Sequence, residues 1–117
     1  MRMPPVVVGR LVIKQAKTES SVLDCSGLFS SGLAIYAPDQ DADGTVNIYV
    51  TSRKDAPDLG TTGAGWRKLQ SGGADISIGA GDAVPLDFLG WAKLKVITTS
   101  AQAAEREFVV MSSEEIS

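Results

Sequence analysis

The sequence predicts an all-β chain folded as one two-sheet antiparallel β-sandwich, of jelly-roll or immunoglobulin-like type, with about eight or nine strands and an extended N-terminal arm. Three observations predict it. Short segments rich in Val, Ile, Thr and Leu recur at short intervals, clusters of Gly, Pro, Asp and Ser bound them, and apolar residues at helical spacing are hard to find. At 117 residues, 44% apolar and 21% charged, the chain has the length and composition of one ordered domain with one core.

Strands are expected near 6–16, 20–25, 32–37, 45–52, 66–70, 74–78, 83–86, 92–98 and 107–111. The first begins in the apolar run Val6-Val7-Val8, and residues 1–8 also read as an arm able to extend a strand onto a partner's sheet edge. Alternation is clearest in Thr45-Val46-Asn47-Ile48-Tyr49-Val50-Thr51, where Val46, Ile48 and Val50 share the core face and Tyr49 the opposite one. In Trp91-Ala92-Lys93-Leu94-Lys95-Val96-Ile97 the pattern repeats, with Ala92, Leu94 and Val96 inward and Lys93 and Lys95 toward solvent or a partner. Turns fall at 39–44 after Pro38, at Ser71-Gly72-Gly73 and at Gly79-Ala80-Gly81-Asp82. The stretch 53–65 is the longest irregular one, and long loops in compact domains tend to be functional or mobile. Residues 112–117 read as a frayed, solvated tail.

Composition narrows function. With 11 Lys and Arg against 14 Asp and Glu the net charge is −3, so no strong field draws the chain to nucleic acid or to anionic lipid. No stretch reaches the length of a membrane span, and Arg10 cuts the N-terminal apolar run short of a signal-peptide core, so a product of the cytoplasm is expected. Cys25 is the sole cysteine and reads as a small buried strand residue. There is no histidine, hence no ordinary triad base, and the carboxylates Asp55 and Asp58 lie in the irregular loop with nothing rigid to fix their separation. An enzyme is not expected.

Two other sites have a chemical rationale. Asp39-x-Asp41-x-Asp43-Gly44 opens like a calcium loop, but Val50 stands where the closing bidentate Glu belongs and no helices flank it; an acidic turn is the better reading, with a looser three-carboxylate calcium site as the alternative, and no cofactor is otherwise expected. Trp66, Trp91, Tyr36 and Tyr49 have the flat faces that a surface glycan would stack on, but the two Trp are better read as caps on the ends of the sandwich core. Tyr36, Tyr49, Lys93, Lys95, Arg53 and Lys54 are therefore the candidates for a subunit or partner contact, with Arg53-Lys54 and Arg67-Lys68 as a charged rim to the loop.

The order of residues then carries a resemblance. Thr45 to Asp55, Trp66-Arg67-Lys68-Leu69, Ala83-Val84-Pro85-Leu86-Asp87, Gly90 to Ser100 and Ala103 to Val110 resemble a family of small tailed-phage and prophage β-sandwich virion proteins. Its members pair a strand ending in Ser-x-Asp-Gly with a Trp-x-x-Leu strand, and they close on an Arg-containing strand pair. Asp24-Cys25-Ser26-Gly27-Leu28 and Leu33-Ala34-Ile35-Tyr36-Ala37-Pro38 also fit, so the resemblance spans about 20–111. It implies a virion component of head-fibre or head-decoration type, without enzymatic activity, assembled in the host cytoplasm on the major capsid protein or other virion proteins as a homo-oligomer. A neck or tail connector, a baseplate element and a virion-displayed carbohydrate-binding module are the alternatives. The chain departs from the family in Ala56, where the turn Gly is expected, and in the longer 57–65 loop.

Overall fold

The structure, a computed structural model, describes residues 6–25, 33–39, 42–60, 65–71, 73–86 and 92–112. Over these the chain forms β1 (Val6–Ile13), β2 (Leu23–Asp24), β3 (Leu33–Tyr36), β4 (Val46–Thr51), β5 (Arg67–Lys68), β6 (Gln70–Ser71), β7 (Ala74–Asp75), β8 (Ala83–Leu86), β9 (Lys93–Thr98) and β10 (Arg106–Ser112), with no helix among the described residues. Two antiparallel sheets of four strands, β1-β10-β3-β8 and β2-β9-β4-β5, make the sandwich, and β6-β7 is a separate hairpin.

The period-two pattern explains the layers. Leu11, Ile13, Ile35, Phe108 and Val110 come from the first sheet and Val46, Ile48, Val50, Leu94 and Val96 from the second, and together with Cys25 and Ile78 they form one buried cluster. Each is flanked along its strand by a residue of the opposite face, so a one-residue slip would exchange core for surface. The expected inward set Ala92, Leu94 and Val96 is buried.

Several boundaries differ from expectation. The first strand stops at Ile13 rather than 16, because Ala16 adopts φ +69 and Lys17 N–H bonds back to the Lys14 carbonyl (3.1 Å), which turns the chain out of the sheet. Val6 to Val8, assigned also to the arm, are strand residues, paired with β10 through Val6↔Ser112 and Val7↔Met111 before a bulge at Val8. The 66–70 strand divides: Arg67 and Lys68 pair with β4, while Gln70 and Ser71 pair with β7, and between them Leu69 turns toward the core. Gly73, in the expected hairpin turn, has φ +84.

Pairing to the edges is local and specific. The outer edge of β1 is partly closed by Ser21, whose N–H bonds to the Val12 carbonyl (3.0 Å) and whose Oγ accepts from Val12 N–H (3.1 Å). At the far edge of the same sheet, Pro85 lies in β8, a place that tolerates its missing donor.

Candidate functional site

The outer face of the second sheet carries Tyr49 on β4 and Lys93 and Lys95 on β9, as the alternation requires. What the alternation does not show is a cover. Residues 53–60 lie across this face, and Lys95 is 0% exposed beneath them. Its ammonium donates to Glu19 Oε1 (2.7 Å), to the Asp58 carbonyl (2.8 Å) and to the Gly60 carbonyl (3.2 Å), and lies 4.5 Å from the centre of the Trp66 ring. Every hydrogen of the ammonium thus has an acceptor, which is the condition for burying such a charge.

Glu19 is set for this role by the backbone. Residues 18–20 run along the β2 side of β9, beyond the β2 pairing: Thr98 N–H bonds to the Thr18 carbonyl (2.8 Å), Ser20 N–H to the Val96 carbonyl (2.9 Å), and Val96 N–H to Ser20 Oγ (2.9 Å). Glu19 therefore faces Ile97 in register, and its carboxylate reaches both Lys95 and the Gly60 N–H (3.1 and 3.2 Å). Trp66, 3% exposed, packs with Ala56, Val22 and Tyr49, and its indole N–H donates to the Pro57 carbonyl (2.8 Å). Lys93 completes the strap by donating to the Ala56 carbonyl (2.9 Å), with Asp58 Oδ1 at 3.6 Å.

These contacts correct two expectations. Lys93 and Lys95 do not stand free toward solvent; their ammonium groups hold the chain's own loop, and Tyr49 is half-buried beside Trp66. Trp66 does not cap the sandwich core either; it forms a second, smaller cluster on the outside of the sheet, while Trp91 lies outside the described residues. Arg53 and Lys54 are exposed on the strap, and Arg53 holds Asp55 through paired bonds of 3.1 and 3.2 Å, which lowers the Asp55 pKa below the usual carboxylate range. Asp55 and Asp58 thus have separate lysine and arginine partners. Tyr36 is 41% exposed on β3 of the other sheet, so Tyr36 and Tyr49 occupy opposite outer faces and form no shared platform for a glycan.

Asp43 of the acidic turn is engaged as well. Its Oδ2 accepts from Ala103 N–H (2.7 Å) and lies 3.9 Å from Arg106 Nη2, while buried Gln102 bonds both its N–H and its carbonyl (2.9 Å each). Asp39 is exposed and Asp41 lies outside the described residues, and among those described no three acidic or Cys side chains stand together. Gly44 makes this turn possible, with φ +77 and the Thr99 hydroxyl and Ser100 backbone where a Cβ would go.

The outer face of the first sheet, on which the sequence pointed only to Tyr36, is the other candidate surface. Register aligns Arg10, Val109, Tyr36 and Ala83 across one row and Val7, Met111, Ala34 and Pro85 across the next, with Val12 beside Glu107. Apart from Arg10 and Glu107, which pair with each other at 2.7 Å, the described residues of this face are apolar. None of the described chain lies over it as 53–60 lies over the other sheet. Antiparallel sheets that meet water on one side alternate to polar residues there; this one does not. Four strands of this length present roughly 400 Å², the size of the largest apolar patch on an ordinary monomer, which is often a functional one.

Compared with protein-family models, with curated proteins and with solved structures, the chain finds no match.

Proposed function

We propose that the chain is a non-enzymatic structural protein of a tailed-phage particle, a decoration or head-fibre subunit that binds the outside of the assembled shell through the outer face of β1-β10-β3-β8. The observation that carries this reading is that face: apolar, nearly neutral and not covered by any described residue, on a chain whose other sheet is strapped by its own loop. The resemblance noted in the sequence supports the virion setting, and the absence of histidine from the sequence fits an adhesive rather than a catalytic role.

Size decides how such a face could work. Roughly 400 Å² is about half of what each partner contributes to a stable one-to-one complex, so one copy binds weakly. Several copies joined as an oligomer, each touching a capsid subunit of a repeating lattice, add their weak contacts into one tight attachment. The Arg10–Glu107 pair, at one side of the face, gives orientation more than affinity.

Particles banded from a lysate of cells that make the chain should contain it, and Tyr36→Asp or Val109→Asp should lower its occupancy at least about tenfold, the effect expected from desolvating an unpaired charge in the contact. Unchanged occupancy in both variants would sink the assignment of the face. Density for the chain at the neck or tail in a particle reconstruction would replace the shell with a connector as its place.

A further inference from the structure

Beside the strap, the turn that follows β1 opens a cleft of about 330 Å³ between residues 12–21 and Leu59. Val12 and Leu59 supply apolar surface, and Leu59 is 74% exposed, the most exposed large apolar side chain described. Lys14 and Lys17 line it too, both exposed and neither in an ion pair with a described residue. The carboxylates beside them are already engaged. Glu19 holds Lys95 and the Gly60 N–H, and Glu107, in register with Val12, holds Arg10 at 2.7 Å. Two uncompensated cations therefore stand by an apolar wall, on a chain whose net charge is −3. The backbone adds a donor. Thr98 N–H bonds to the Thr18 carbonyl and Ser20 N–H to the Val96 carbonyl, so the alternation of an antiparallel ladder directs the Glu19 N–H away from β9, to the side on which Ser21 N–H meets the Val12 carbonyl. It has no acceptor among the described residues.

We infer that this cleft binds a small organic acid, a carboxylate carried on a short apolar chain. Each part of such a ligand has its counterpart in the wall. The carboxylate accepts from the Lys14 and Lys17 ammonium groups and from the Glu19 N–H, and the hydrocarbon covers Val12 and Leu59. Charge decides the sign of the ligand, because a neutral or cationic one would leave both ammonium groups without a counter-charge. Size decides its class: about 330 Å³ stands at the small end of ligand sites, room for a chain of a few carbons but not for the roughly twenty residues that a protein partner brings. Because both lysines are exposed, their attraction is screened by salt, and the apolar wall supplies the selectivity among anions. The lining includes neither Tyr36 nor Val109, so this site and the shell-binding face stand or fall separately.

Titration of the whole chain, labelled with nitrogen-15, with hexanoate and read by amide shifts tests this. Shifts at residues 12–21 and at Leu59 should saturate, and half-saturation should need more hexanoate as salt rises. Acetate, with the same charge but a shorter chain, should bind at least about tenfold more weakly, and so should hexan-1-ol, with the same chain but no charge. Lys14→Gln with Lys17→Gln should raise the half-saturating hexanoate concentration at least about tenfold, and Leu59→Ser should narrow the gap between hexanoate and acetate. Neither change should move the melting temperature, since both lie at the surface. Hexanoate that shifts none of these amides overturns the inference, as does acetate that binds as tightly as hexanoate. Hexanoate binding that survives the double lysine change overturns it too.

Discussion

The Lys95 ammonium is bound by one carboxylate, two backbone carbonyls and an indole face, all from a single chain. Removing one member of a buried pair costs more than replacing the charge itself. Glu19→Gln, which leaves the ammonium under the strap without its counter-charge, should therefore destabilise by about 2–4 kcal/mol in urea unfolding. Lys95→Met should cost less, because Glu19 keeps partial access to water and its bond from Gly60 N–H. The reverse order would show that the pair is net stabilising beyond its desolvation. Cys25 makes a second prediction. Burial, with the charge of Asp24 adding to it, pushes its thiol up to about 11. In the unfolded chain the thiol ionises first, so its contribution to stability is whole below about pH 8.5 and is lost as pH rises toward 11. Unfolding free energy of wild type should fall across that window relative to Cys25→Ala, and the native thiol should react with a disulfide reagent at pH 8 far more slowly than the unfolded one. Period-two alternation placed Lys95 on the correct side of its strand. It could not show the strap, because that depends on Glu19, Asp58 and Trp66 arriving from three distant segments.

Among the elements, strands with clean alternation were legible and short ones were not. β4 and β9 lie within a residue or so of their expected bounds because branched apolar residues at every second position can be satisfied only on one face of a sheet. β5, β6 and β7 are two residues each, set by the hairpin at Gly73 and by what Leu69 must bury, and no two-residue pattern is distinctive. The turn at Ala16 carries no Gly or Asn to announce it. Gly9 shows how closely the two sheets meet: a Cβ there would lie 2.4 Å from Leu23 Cδ1, across the sandwich. Gly9→Ala should cost about 1–3 kcal/mol in thermal or urea unfolding, the range for overpacking, since Leu23 is a flexible side chain able to shift in part. Gly44→Ala should cost more, for its neighbour is the Ser100 backbone and its φ of +77 is strained for any side chain. Equal stability of the two variants would mean that the 43–45 turn relaxes freely.

At the scale of the molecule, the two outer faces differ in kind. One is closed by residues 53–60; the other presents a row of Val, Met, Ala, Tyr and Pro. This second face was illegible in the sequence because its members come from β1, β3, β8 and β10, and no local pattern says that β10 runs between β1 and β3. Of the residues expected to make contact, Tyr36 lies on this face, Arg53 and Lys54 are exposed on the strap, Tyr49 is half-buried beside Trp66, and Lys93 and Lys95 are used internally by the fold. Val109→Asp should change stability by less than about 1 kcal/mol, as surface substitutions do, yet reduce surface apolar area enough to lower binding of a hydrophobic dye. A large loss of stability would place Val109 in a packed layer rather than on an open face.

The pairing of β1 with β10 has a consequence in time. Val6 sits opposite Ser112, so β1 finds its partner only when all the strands described between them have been made. Closing a loop of that size is a slow search, and sandwiches dominated by such pairings fold in milliseconds to seconds rather than microseconds. Until β10 arrives, the long edge of β1 has no neighbour, and during synthesis the chain is most exposed to the wrong partner along the strand that β10 will eventually close.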